Sequence, residues 1–161
     1  MIGSLVMTVA LAASSGGSAD ALAKHEAKTL TIQVPAAWER TVQEGTEKFK
    51  APSGDAFFTL DVGAVQTQGM QAKVCLEKIL TAMGGSEGWE KVSLGLNPAA
   101  RKVSVDDANE EGSEKVRSMH YVGCNGKTTW SLIFSMNDKK KDRFEPLAGK
   151  IAQSVSYAKG K

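Results

Sequence analysis

The sequence predicts an α+β domain in which an antiparallel sheet of about six to seven strands carries two main helices. Three observations lead there. Asn125-Gly126 stands between two runs of alternating apolar and polar residues. A two-residue hairpin needs positive φ at both turn residues, and Asn-Gly tolerates this best. Two segments, 70–83 and 142–155, repeat apolar residues at spacings of three and four, the period of an amphipathic helix. Elsewhere apolar residues alternate in short runs separated by Gly, Pro, Asn and Asp, the pattern of neighbouring strands joined by turns.

The chain has 161 residues, a length that suits one domain, and 42% hydrophobic content, which supplies one ordinary core. A formal charge of +2 is too balanced for a nucleic-acid partner, and no basic stripe is interleaved with aromatics. Residues 1–13 are apolar or small and uncharged, followed by Ser14-Ser15-Gly16-Gly17-Ser18 and Ala19-Asp20-Ala21-Leu22-Ala23. This reads as a secretory signal over residues 1–23, cut after Ala23, with Ala19-Asp20-Ala21 and Ala10-Leu11-Ala12 as alternative sites. The apolar run is too short to leave a stable membrane span. The expected location is therefore periplasmic or secreted, against a competing reading as a cytosolic chain with an apolar tail. Two cysteines, Cys75 and Cys124, are an even count that favours a disulfide in an exported chain. Such a bridge closes a loop of about fifty residues and is worth about 4 kcal/mol in the chain-entropy model. Two separate buried thiols are the alternative. With no nearby pair of histidines the cysteines make a poor zinc site.

Taken in order, residues 24–28 are a polar, flexible lead-in, and residues 29–158 form the single domain. Leu30, Ile32 and Val34 alternate with Thr29, Thr31 and Gln33 in the first strand, which Pro35 ends. Trp38 follows, either stacking on a ligand or anchoring the strand end, and burial statistics favour the anchor. Residues 39–50 suit an exposed strand pair around Gly45. After a turn at 51–55, residues 56–65 form a strong strand with Phe58, Leu60, Val62 and Ala64 on one face.

In helix 70–83, Ala72, Cys75, Leu76, Ile79, Leu80, Ala82 and Met83 share one side. Cys75 lies on its flank, where a thiol can reach a strand of the sheet below. Gly84-Gly85 stops the helix. Strands follow at 89–96 and 101–105, separated by a turn at Asn97-Pro98. Residues 106–112 form an acidic turn. Asp107, Asn109 and Glu111 alternate there but lack the ligand spacing of a calcium loop. In strand 114–124, Val116, Ser118, His120 and Val122 share one face and Arg117, Met119 and Tyr121 the other. On the outgoing strand, Trp130, Leu132, Phe134 and Met136 face one way. The closing helix gathers Phe144, Leu147, Ala148, Ile151 and Val155 on one face, with Pro146 expected in its first turn.

The run Leu30-Thr31-Ile32-Gln33-Val34-Pro35-Ala36-Ala37-Trp38 resembles the opening of PsbP-like domains, whose fold is shared with the nuclear-import factor Mog and with bacterial effector-associated chaperones. The stretch from Phe49 to Leu60 resembles their second hairpin. The ending, Trp130 to Ser135 and then Phe144 to Val155, resembles their last strand and helix. The resemblance implies a PsbP/Mog-like α/β sandwich. It also implies a mostly non-catalytic role, in binding other proteins or stabilising assemblies, and supplies no catalytic residues.

The residues themselves point the same way. Gly84-Gly85-Ser86-Glu87-Gly88 matches Gly-x-Ser-x-Gly in letters, but it stands between a predicted helix and a predicted strand, the reverse of the strand-to-helix turn of a nucleophile elbow, and there is no phosphate loop and no Cys-x-x-Cys. Of the two histidines, His25 lies in the lead-in and His120 has no catalytic partner in view. The expectation is a non-enzymatic, exported protein-binding or assembly module with no cofactor, metal or nucleic acid. Its partner is a protein of the envelope or outside the cell, met on a surface that includes Trp38, His120 and Tyr121. The alternative is a carrier of a small apolar ligand or lipid, which six methionines favour because Met adapts to irregular pockets.

Overall fold

The computed structural model describes residues 19–66, 69–95 and 97–159. Its main sheet has seven antiparallel strands: β3 (Glu39–Gln43), β4 (Thr46–Lys50), β5 (Ala56–Ala64), β6 (Glu90–Leu94), β7 (Asn97–Asp107), β8 (Lys115–Cys124) and β9 (Thr128–Asn137), in the order β3-β4-β5-β9-β8-β7-β6. A smaller sheet joins β1 (Leu22–Ala27), β2 (Leu30–Pro35) and β10 (Ser156–Tyr157) in the order β1-β2-β10. Helix α1 (Ala72–Ala82) lies between β5 and β6 in sequence. Helix α2 (Lys141–Gln153) follows β9 after a short 3-10 turn, Asp138–Lys140. This is the expected α+β class with two main helices.

The two faces of the main sheet are closed differently. One face carries Phe58, Leu60, Leu132, Phe134 and Met136, all at most 1% exposed, under Leu30 and Ile32 of β2 and Phe144 and Ile151 of α2. Each such side chain contributes about 1.5–3 kcal/mol by leaving water. Phe49, Phe58 and Phe134 stack in a row, with centroids 4.6 and 5.9 Å apart. The other face is partly covered by α1, whose buried residues are Cys75, Leu76 and Leu80. Alternation put the right residues inward on β5 and β9, because a strand with one buried face must keep a period of two.

Several local expectations are corrected. Residues 24–28 are not a free lead-in. Residues 22–27 form β1, in register with β2 through Lys24↔Gln33 and His25↔Ile32, and Ala27 is 3% exposed. The segment is polar because it is an edge strand, and its side chains find partners: His25 Nε2 lies 2.7 Å from Glu47 Oε2. Asn97-Pro98 is not the turn. The chain reverses between Leu94 and Asn97, which pair. Pro98 pairs with Ser93 of β6 next to the Leu94↔Asn97 pair that closes the hairpin, so its nitrogen faces the β8 side, and pairing with β8 begins only at Ala99↔Gly123. Pro146 falls in the second turn of α2, since the helix already starts at Lys141. It lies on the exposed side, where water can serve the carbonyl that loses its donor. The turn at Glu44-Gly45 is as expected, with φ of 51° and 87° at its two residues.

Candidate functional site

Helix α1 packs on β7 and β8. Leu76 and Leu80 meet Ala100 and Val122 in a small cluster separate from the main core, with Ile79 and Trp89 at its margin. Cys75 and Cys124 form a disulfide with a Cα–Cα distance of 6.0 Å. Gly84 and Gly85 adopt positive φ and end the helix, with Gly85 N–H donating to the Leu80 carbonyl at 2.9 Å. The β8–β9 turn backs onto the segment that enters α1. At Gly126 a Cβ would stand 2.0 Å from the Met70 carbonyl oxygen, and φ is +90°. Only glycine meets both conditions.

Because α1 sits at the β7–β8 side, the same face of β4, β5 and β9 lies beyond its packing. Strand register puts Lys48, Thr59, Ile133, His120 and Lys102 in one row across five strands. Lys50, Phe57, Ser135, Ser118 and Ser104 form the next row. Phe57, Thr59 and Ile133 are half-buried at the centre, and the Lys48 ammonium stands 4.3 Å over the Phe57 ring. Phe57 and Ile133 are apolar residues on the otherwise polar phase of β5 and β9. They are the sequence signal that this second face is not plain solvated surface.

The three residues expected on a binding surface are not brought together. Trp38 is 5% exposed and packs 5.9, 5.8 and 6.1 Å from the rings of Phe58, Phe134 and Phe144. Tyr121 is 3% exposed in the main core. Burial raises its phenol pKa, opposed by Arg101 beside it. Both are unavailable to a partner, because each lies on the face that α2 and β2 close. His120 is half-buried on the opposite face. Its Nε2 lies 2.8 Å from Ser131 Oγ and its ring 5.0 Å from that of Trp89.

Burial, then the charge of Lys102, lowers the His120 pKa. A histidine that resists protonation in the folded chain stabilises the fold above its unfolded pKa of about 6.5. That contribution is lost as pH falls from there to the lowered folded value. His120→Gln is therefore expected to flatten the fall in melting temperature between neutral and mildly acidic pH, measured by thermal denaturation of both proteins across that window.

No protein-family model matches the sequence, and no curated protein sequence matches it. Solved structures do match in shape. Cyanobacterial PsbP (CyanoP) from Synechocystis superposes with a TM-score of 0.56 at 11% identity, covering 89% of this chain and 95% of that one. The Ran-binding protein Mog1p of Saccharomyces cerevisiae matches with a TM-score of 0.50 at 12% identity, over 86% and 96%. The chain has a PsbP/Mog-like fold. A protein from Bacteroides thetaiotaomicron gives a TM-score of 0.60 at 15% identity, covering 81% of this chain but 46% of its own length, so the present chain spans about half of that protein.

Within this PsbP/Mog-like fold, a cleft of about 310 Å³ opens between the C-terminal end of α1 and the sheet. Ile79, Met83 and Val122 supply its apolar wall, Thr129 and Ser131 its hydroxyls, and Asp61 a carboxylate. Among the described residues, no cluster of His, Cys, Asp or Glu has the geometry to hold a metal ion. The acidic turn expected at 106–112 is held by its own bonds. Asp107 pairs with Lys115 at 2.8 Å, and Asn109 Oδ1 accepts from the Ser113 and Glu114 backbones.

Proposed function

We propose that the protein is an exported, non-enzymatic binding module that engages a protein partner on the part of its main sheet that α1 leaves uncovered. The row pair centred on Phe57, Thr59 and Ile133 carries this reading. It sets two apolar side chains, flanked by Lys48 and Lys50, on a face whose other half is occupied by a helix. An apolar centre with a polar surround is the composition of a recognition patch. His120 does not support catalysis. Its neighbours are a serine, an indole and the cation of Lys102, which opposes proton uptake, and no carboxylate is described on its ring. A fold neighbour, yeast Mog1p, is a Ran-binding protein, and this supports a binding role. The apolar opening run and the Cys75–Cys124 bridge support export to an oxidising compartment.

Crosslinking and capture from the envelope fraction of the source cells tests the reading. The wild-type protein is expected to enrich a partner that Ile133→Glu loses, while near-ultraviolet circular dichroism shows the variant folded. Equal capture by a folded I133E protein, or no enriched partner, would overturn it.

A second reading rests on the α1 cleft. Its volume lies at the low end of small-molecule sites, and its apolar wall fits a small apolar ligand. Native mass spectrometry of the protein from its own envelope, with no co-purified small molecule, would remove this reading.

A further inference from the structure

Asp20 belongs to the folded domain. Its carboxylate takes the Arg143 guanidinium at two points, Nε at 3.0 Å and Nη2 at 3.2 Å. It also accepts from the Trp38 indole N–H at 3.4 Å. Such two-point pairing is the strong geometry for Arg and a carboxylate. Trp38 is 5% exposed, and a buried indole N–H needs an acceptor. The next residues continue the anchorage. The Ala21 carbonyl accepts from Ala36 N–H at 2.9 Å, and β1 begins at Leu22, with Leu22↔Pro35 and Ala23↔Val34 in register. Cutting after Ala23 would remove two residues of β1 together with Asp20. Cutting after Ala21 would still strip the carboxylate from Arg143 and Trp38.

A signal is cut after small residues at the last and third-last positions. Of the sites before Asp20 with Gly, Ala or Ser at both positions, those that end in alanine are Ala10-Leu11-Ala12 and Gly17-Ser18-Ala19. Their residues, apart from Ala19, lie outside the described part of the structure, so the sites are read from sequence.

We infer that the export signal is removed on the N-terminal side of Asp20, after Ala12 or Ala19, so that the mature chain keeps Asp20 as the carboxylate that clasps α2 and Trp38 to β1. This rests on the export reading and moves the processing site from the one that small-residue spacing alone favours. It also makes Asp20 a positioning residue for the start of β1.

Intact-mass analysis with N-terminal sequencing of the protein from its native envelope fraction tests both parts separately. A chain beginning at Ala13 or Asp20 is the expected result. One beginning at Leu22 or Lys24 would overturn the inference while leaving export intact. An uncut chain in the cytosol would sink the export reading and the inference with it. A second measurement addresses the clasp. Chains beginning at Asp20 and at Lys24, and the Asp20→Asn variant of the longer one, are compared by thermal denaturation. The longer chain is expected to melt several degrees higher than both others. Equal melting of all three would overturn the role assigned to Asp20.

Discussion

The C75A/C124A protein is expected to lose about 4 kcal/mol of stability, and to lose it first at α1. The bridge spans a sequence separation of 49 that contains most of α1 and all of β6, β7 and β8. The apolar attachment of the helix is small by comparison. Leu76 and Leu80 rest on Ala100 and Val122, in a cluster that shares no residue with the main core. Alanine is the right replacement, because Cys75 and Cys124 are 3% and 0% exposed and a serine hydroxyl there would need a partner. Hydrogen exchange should show α1 amides losing protection while β5, β8 and β9 keep theirs, since local stability follows local packing. A thiol reductant acting on the wild-type chain should reproduce the pattern without any substitution. Unchanged protection of α1 in the variant would mean that packing alone holds the helix.

The second large effect is expected at Trp38. Trp38→Ala should cost about 3–5 kcal/mol, a large part of the 5–15 kcal/mol or so that stabilises an ordinary domain. The indole fills the space between the sheet and α2, against Phe58, Phe134 and Phe144, and its N–H meets Asp20. Removing it leaves a cavity whose aromatic walls cannot close. Trp38→Phe keeps a ring but loses the N–H, and should cost less. Urea midpoints of the three proteins decide the order. A stable W38A protein that had lost its partner would instead make Trp38 a contact residue.

What was legible in the sequence follows from how local each signal is. The β8–β9 hairpin, β2, β5, β9 and the apolar face of α2 are written in turn chemistry and in periods that a short window contains. The cysteine pair was legible because Cys75 lies on the flank of a helix and Cys124 ends a strand. Strand β1 was not, since its residues carry no alternation, and its order comes from β2 and from Glu47, which are distant in sequence or belong to another strand. The division of β8 into two faces was readable. Which face met the main core was not, because α2 and β2 decide that, and so Tyr121 looked available when it is buried. The uncovered face was missed for the same reason: it is defined by where α1 stops, a property of tertiary packing. Asp20 was hidden by its own context, since it stands among small residues of the kind that mark a processing site.

The place of β9 has a consequence for how the chain comes together. The sheet consists of two three-stranded groups, β3-β4-β5 and β6-β7-β8, and they meet only through β9. Each group precedes β9 in sequence, so the sheet cannot be completed until the chain has been made as far as Asn137. Only then does α2 follow to seal the core. Until that moment both β5 and β8 present an unpaired edge, the template on which other strands add, and the pairings that remove it are long-range and slow to form. A chain built this way stays unfinished until nearly its last element. If it crosses a membrane unfolded, its own topology holds back the folding that would stop it.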